Sequence, residues 1–545
     1  MSGGVRFLVS AICLLLARSG NAQTPAQPLG QQDATAAYKS AAVLRTTTRL
    51  VVVDVVATDS KGHPVDDLGI DDFAVLEDNQ PQKIRGFSFR QTGTLTETQQ
   101  PANPKVFSNA PRYSGSSSLN VILLDALNAE FLSRTYARDQ LLKYLESGPA
   151  IQPTAVYALE NTLKLLHDFT VDTKELKAVV ENYKPRAPTH VVDVHSAATP
   201  YSQRGDYTTT SRSLEATVSA LGALAQVLAG HPGRKNLIWL SAAFPLAFYP
   251  ESYGNAVNPI NTSLAARTGD TPLHDMTTEH NMSGKARSFS DEIERVANAM
   301  MNAQVAIYPV DCTGLGKDSR ANAASTMRVL AERTGGKTYV NRNDIEMAVR
   351  TSMDDGATYY TLEYYPENKN WDGKFRVIQV KTARPGVTLR NRQGYYALNP
   401  GEQKKDGDKD LARSLSDALS QDMPASTGVL FRAGLVTPTE KTAPLTVNFA
   451  IDPHTIAFEQ KSDGLVHASL SCAVVAYSDK GSPVKKEINS VTAALKPDEL
   501  EKIMQGYFPC KRTIELKSGH YNLTLGVVDQ GSRLIGTTTA SVSVP

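Results

Sequence analysis

Between Leu119 and Gly356, short apolar runs alternate with segments of helical period, and this alternation restricts the chain to an α/β architecture. The apolar runs fall at 121–124, 155–159, 163–166, 237–240, 305–310 and 337–340. Between them, Ala137, Leu141 and Leu145 share one helical face, and Leu214, Val218, Leu221, Ala225 and Leu228 share another that stops at Gly230 and Pro232. Asp172 and Glu175 form a capping pair ahead of Leu176, Val179 and Val180. Ile293, Val296, Ala297 and Met300 mark a further helix, one more ends at Gly335-Gly336, and Asn343 and Glu346 cap the last. Six strands alternating with helices predict a doubly wound parallel sheet with helices on both faces. Ligands of such sheets bind beyond the carboxyl ends of the strands.

The flanking sequence is β-like. LVVVDVVA (50–57) is β-branched, and a few more strands follow as far as Phe89. The pattern returns at Tyr359, with Trp371-Asp372-Gly373-Lys374 expected as a hairpin turn. Neither half has enough strands for a core, so 45–90 and 357–398 are expected to form one β-domain around the inserted α/β domain, 119–356. Residues 91–118 and 399–424 are expected as linkers, and 425–545 as a separate C-terminal β-sandwich. Tyr359-Tyr360, Tyr364-Tyr365 and Tyr395-Tyr396 are expected to place one ring of each pair inward.

Arg6 followed by FLVSAICLLLA (7–17), with Gly20 and Ala22 beyond, predicts a cleaved signal peptide over 1–22 and a flexible leader over 23–44. The apolar run is too short to span a bilayer, so export without stable membrane insertion is expected, to the periplasm or outside the cell. The 57 basic and 56 acidic residues balance, which gives no electrostatic reason to expect nucleic acid. Of the four cysteines, Cys13 leaves with the signal. Cys472 and Cys510 fall in the same expected sandwich and are candidates for a disulfide.

VILLDALN (121–128), GRKNLIWLSAAFP (233–245), VAIYPVDCTGL (305–315), LAERTGGKTY (330–339) and the stretch 359–396 together resemble the acidobacterial family of von Willebrand factor A-related secreted proteins. The resemblance covers roughly 45–397 and leaves 400–545 without a counterpart. It implies an A-type domain that recognises macromolecules, flanked by β modules. Such domains often hold a divalent cation on Asp-x-Ser-x-Ser, a Thr and a distant Asp. Here Asp125 matches, Leu127 and Ala129 replace the serines, and Ser241-Ala242 stands where Asp-Gly is expected. Thr208, Thr209 and Thr210 are available as the threonine.

Strands 1, 4 and 5 are neighbours in a 3-2-1-4-5-6 order, so Asp125, Asn128, Thr210, Ser241 and Asp311 are the candidate ligand-binding rim. Asp125 and Asn128 are the candidate ligands for Mg²⁺ or Ca²⁺, at a site expected to be degenerate and to need no cofactor. Arg204-Gly205-Asp206 is an adhesion tripeptide of a kind that chance supplies often. Enzyme signatures fail: Gly316-Lys317 lacks the remaining phosphate-loop residues, and no Gly-x-Ser-x-Gly or His-Glu-x-x-His occurs. The expected function is therefore non-catalytic binding or adhesion to an extracellular or envelope protein or polysaccharide. Two alternatives remain, a structural subunit of a secreted or envelope assembly and a hydrolase using the insertion 244–288.

Overall fold

The computed structural model describes residues 50–91, 96–97, 101, 103–114, 118–129, 131–148, 152–185, 203–242, 278–280, 286–313, 321–397, 404–421, 423–438 and 443–545. The first strands are β1 (Val51–Thr58), β2 (Phe73–Glu77), β3 (Gln80–Gln82) and β4 (Ile84–Gln91). Asp78 and Asn79 both have positive φ, at 47° and 65°, the left-handed pair that a two-residue turn between β2 and β3 requires. The stretch 91–118 is more than a linker. Its strand β5 (Val106–Ser108) pairs antiparallel with Arg432, Ala433 and Gly434, over three hundred residues later. A three-residue strand leaves no periodicity to read.

The α/β domain follows as β6 (Ser118–Asp125), α1 (Phe131–Glu146), β7 (Thr154–Leu159), β8 (Leu163–Thr170), α2 (Thr173–Asn182), α3 (Gln203–Leu228), β9 (Arg234–Ser241), α4 (Phe289–Asn302), β10 (Val305–Asp311), α5 (Ala321–Thr334) and α6 (Ile345–Asp355). The sheet order is β8-β7-β6-β9-β10. Neighbours from β7 to β10 are parallel, but β8 runs antiparallel to β7, so the sheet is mixed rather than wholly parallel. Leu159 and Leu163 are too close in sequence for a crossover, which needs a dozen or more residues, and the chain turns back as a hairpin. The expected sixth strand shrinks to one bridge, Val310↔Tyr339. Gly335 at φ 78° and Asn341 at φ 53° turn the chain away on either side of it.

Alternate residues of each strand face opposite layers. Val121 and Leu123 pack with Leu214, Leu221 and Leu228 of α3, Met300 of α4 and Leu330 of α5. Ile122 and Leu124 pack with Leu141 of α1, Leu176 of α2 and Val349 of α6. Both faces are covered, which is why every residue of β6, β7 and β9 is buried and why their central residues read as unbroken apolar runs.

The chain then builds β11 (Thr358–Tyr364), β12 (Phe375–Thr382), β13 (Thr388–Asn391) and β14 (Gly394–Tyr396). These complete two sheets of order β13-β1-β11-β4 and β14-β12-β2-β3. Because β11 and β12 lie in different sheets, Trp371 to Lys374 is a connection between layers and not the expected hairpin. Tyr359 and Tyr360 are both buried, against the expectation of one inward ring per pair. Tyr360 joins the β-domain core, and Tyr359 faces the α/β domain, where its hydroxyl accepts from the Arg234 backbone N–H at 3.0 Å.

The stretch 399–424 also departs from a linker, since it carries α7 (Lys404–Ala418). Leu411, Leu415 and Leu419 pack on Ala473, Val475 and Val528 of the sandwich. That sandwich comprises β15 (Phe431–Val436), β16 (Leu445–Ile451), β17 (Val466–Tyr477), β18 (Pro483–Leu495), α8 (Pro497–Gln505), β19 (Phe508–Ile514), β20 (Gly519–Asp529) and β21 (Ile535–Val544). One sheet runs β19-β16-β15-β5; in the other, β17 pairs with β18 and β20, and β20 with β21. Cys472 of β17 and Cys510 of β19 are disulfide-bonded across the two sheets.

Polar bonds fasten the three domains. Asp54 of β1 accepts from Thr361 at 2.9 Å and from Gln304 of the α/β domain at 3.0 Å. Thr427 Oγ1 donates to Val227 O at 2.5 Å and accepts from Gly230 N at 3.1 Å, joining α/β domain to sandwich. A Cβ on Gly230 would lie 1.7 Å from the Thr427 carbonyl oxygen, so only glycine permits this approach. Asn109, just after β5, donates to Ser426 O and Val429 O at 2.8 Å each, and its Oδ1 accepts from Phe431 N at 2.9 Å.

Asn109→Ala strands three buried backbone groups, and the expected loss is about 3 kcal/mol, read as a lower denaturant midpoint for the sandwich. An unchanged midpoint refutes the clamp. His231 lies at the α/β–sandwich junction, its ring 5.1 Å from that of Phe169 and its Nδ1 3.3 Å from Thr427 Oγ1. Burial, aided by Lys235, holds its imidazole well below the usual range, at about 3. The unfolded chain takes up this proton near pH 6.5 and the folded chain does not, so the group's stabilisation is complete above 6.5 and is lost as pH falls toward 3. From pH 7 to 4.5 the loss is about 2–3 kcal/mol. Denaturant unfolding at both pH values should show a smaller drop for His231→Gln; equal drops count against the assignment.

Candidate functional site

The parallel register places Ser241 beside Asp125, one residue beyond the pair Leu124↔Leu240, and pairs Ser241 with Asp311. The rim row expected from sequence is thus assembled in the backbone, at the carboxyl ends of β6, β9 and β10. The side chains are not equivalent. Asp125 is buried, and its carboxylate accepts from five donors. Oδ1 takes Leu127 N at 3.1 Å, Asn128 N at 2.9 Å and Asn128 Nδ2 at 3.2 Å. Oδ2 takes Asn128 Nδ2 at 3.0 Å, Trp239 Nε1 at 3.1 Å and Ser241 Oγ at 2.7 Å. Burial pushes the Asp125 carboxyl above its ordinary range, opposed by the bonds from Ser241, Asn128 and Trp239.

Asn128 does not present an oxygen toward a shared ion. It turns its amide nitrogen to Asp125 and to Thr217 Oγ1 of α3, at 2.9 Å, and Thr217 in turn donates to Ser213 O at 2.7 Å. Asp311 stays apart from this network: its Oδ1 accepts from Thr313 N at 2.9 Å. The side chain of Thr210 and those of Arg204 and Asp206 lie outside the described residues, as do 243–277 and 281–285 of the insertion considered for a hydrolase. From that insertion Thr278–His280 pairs with Ala286–Ser288.

The cation site implied by the resemblance does not fit these residues. A hard cation needs about six oxygen ligands. Leu127 and Ala129 supply no side-chain oxygen, and the four or so lone-pair positions of Asp125 already face protein donors. Trp239 Nε1–H is a donor only and cannot be turned into a ligand. Among the described residues no three His, Cys, Asp or Glu side chains are grouped to hold a metal ion. Cys312, at the same end of the sheet, is buried with its thiol pushed up by burial, which disfavours the nucleophilic thiolate.

Trp239 and Thr217 are the members that sequence reasoning missed. Both carried a signal. Trp239 is one of only two tryptophans and sits in the apolar run 237–240, where its N–H must find an acceptor. Thr217 interrupts the apolar face of α3 beside Val218. A few residues past Asp125, at the start of α1, Phe131 and Leu132 are 72% and 77% exposed.

No family model matches the chain, and no curated protein matches it. Solved structures similar to it include the vWF domain of the type V pili tip protein Mfa5 from Porphyromonas gingivalis, at 14% identity and a TM-score of 0.27, covering 44% of this chain and 93% of that one. The PilB minor pilin from Streptococcus sanguinis aligns at 14% identity and a TM-score of 0.23, covering 44% and 60%. A von Willebrand factor type A protein from Catenulispora acidiphila aligns at 10% identity and a TM-score of 0.23, covering 58% and 74%.

Asp125→Ala removes from the interior an acceptor shared by Trp239 Nε1–H, Ser241 Oγ–H and the Asn128 side-chain and backbone amides. The expected cost is about 3–5 kcal/mol, measured by denaturant unfolding of the α/β domain. A variant as stable as the parent would show that the carboxylate is not a structural lock.

Proposed function

We infer that this chain is a secreted, non-catalytic binding protein whose α/β domain is of the von Willebrand factor A type. Its ligand is an extracellular or envelope protein or polysaccharide, taken at the carboxyl-end rim without a metal ion. The observation that carries this reading is the pairing of a sealed carboxylate with exposed apolar side chains at one place. Asp125 is closed off by its donors, while Phe131 and Leu132, a few residues on, stand in solvent. Large exposed apolar side chains beside a rim favour contact by burial rather than by coordination.

The arrangement of domains supports the same end of the sheet. The amino-terminal ends of the strands meet the β-domain through Arg234 N to Tyr359 and Gln304 to Asp54. Gly230 and Val227, just before β9, are taken up by Thr427 of the sandwich. Export agrees with the disulfide Cys472–Cys510, since such bonds persist in oxidising compartments. Among the described residues, no helix is long and apolar enough to cross a membrane.

The test is capture from an envelope extract by the immobilised mature protein, with and without a chelator, compared with Phe131→Ser/Leu132→Ser. The partner retained by the parent should be lost in the double variant, by tenfold or more in recovery, and should be indifferent to the chelator. Retention by the double variant, or loss on chelation, overturns the reading. Calorimetric titration of the parent with Mg²⁺, Ca²⁺ and Mn²⁺ should show no micromolar site.

A further inference from the structure

We propose that β21 is a homotypic docking edge, at which a second copy of this chain adds its own β21 antiparallel across a twofold axis at Ser541. Strand β21 is the last in its sheet, paired on one side only, with β20 over Gly519↔Val544 to Val528↔Ile535 and without a register shift. Its first part is covered on the other side. Val429 N donates to Ile535 O, and Thr537 N donates to Ser426 O. Ile535 and Thr537 therefore direct their backbone groups away from β20, and strand alternation assigns the same outward direction to Thr539, Ser541 and Ser543. Among the described residues, no strand or loop pairs with those three.

An uncovered edge is a template for further pairing, and proteins blunt such edges with charge, proline or brevity. Among the described residues, the other edges of the larger sheets are blunted; β10 carries Pro309 and is bridged at Val310 by Tyr339, and β13 carries Arg390. Strand β4 carries Arg85 and Arg90, β8 carries Lys164 and Asp168, β18 carries Lys485, Lys486 and Glu487, and β19 carries Pro509, Lys511 and Arg512. Strands β3, β5 and β14 have three residues each. Residues 539–544, TASVSV, have no charge and no proline.

The occupant follows from register. Thr539, Ser541 and Ser543 are exposed, while Ala540, Val542 and Val544 are buried. A twofold at Ser541 sets Ser541 against itself, Thr539 against Ser543, and Ala540 against Val542. Every outward backbone donor and acceptor of the three exposed residues then meets its mate, six hydrogen bonds in all by the antiparallel pattern. Small hydroxyl side chains face one another on the outer face, and apolar ones stay on the core side. The sequence is thus self-complementary in the register that pairs all three outward residues of the uncovered part of the strand. The β20–β21 sheet would continue through the axis into the second copy, which is independent of whatever the Asp125 rim binds.

The experiment is light scattering on the mature full chain between about 1 and 300 μM, the range in which a small interface dissociates. The parent should pass from monomer to dimer. Ser541→Lys and Ser541→Glu each set like charges opposite one another, and each should weaken the dimer at least tenfold. Their equimolar mixture should restore it, a result that a general loss of fold cannot produce. Should Ser541→Lys not fold, the double substitution Thr539→Lys/Ser543→Lys sets two like-charged pairs across the axis, and its mixture with Thr539→Glu/Ser543→Glu serves the same test. A parent that stays monomeric throughout, a dimer unmoved by both charges, or a mixture that stays monomeric overturns the proposal.

Discussion

A single side chain closes the architecture. Asn109 satisfies two carbonyls and one N–H of backbone more than three hundred residues away, and it sits immediately after the short strand β5 that completes the first sheet of the sandwich. An unpaired buried backbone group costs as much as a lost hydrogen bond, so the segment Ser426 to Phe431 cannot take this path without it. The same segment carries Thr427, which holds Val227 and Gly230 of the α/β domain. The three domains are therefore coupled through one short stretch of chain, and the β-domain joins them by enclosing the α/β domain in sequence.

What was legible in the sequence was whatever has a period or a long apolar run. Strands β6, β7, β9 and β10 read directly because helices cover both their faces. The two β-domain halves read as incomplete for the same physical reason that makes them pair, a shortage of strands. Strand β18, PVKKEINSVTAAL, carries little legible alternation because it is mostly solvated and charged. Strand β5 is too short to signal at all. Tyr359 and Tyr360 were misjudged since strand alternation assumes one wet face, and here a second domain lies against it.

The candidate site shows the same division. Asp125 was legible from its place at the end of an apolar strand, and its alignment with Ser241 and Asp311 follows from strand order. The role of Asn128 was not. Sequence spacing cannot say whether an amide offers its oxygen to an ion or its nitrogen to a carboxylate, and the answer depends on Thr217 from a helix ninety residues on. Leu127 and Ala129 bring no side-chain oxygen to the rim, and the arrangement inside the sheet agrees with this. Trp239 brings a fixed N–H to the carboxylate, so its oxygens are met by oriented protein dipoles.

The insertion of the α/β domain also bears on mechanics. The β-domain is joined to the sandwich at two points, through β5, which follows β4 in the chain, and through α7, which follows β14. A pull applied between the leader and the sandwich is transmitted along both routes. It loads the antiparallel pairing of β1 with β11 and β13 before it loads the parallel sheet that bears the rim. The α/β domain lies covalently between the two β-domain halves, and the pairing of β1 with β11 and β13 closes a bridge around it, so flow or drag that stretched the molecule would leave the rim geometry assembled until that pairing gave way.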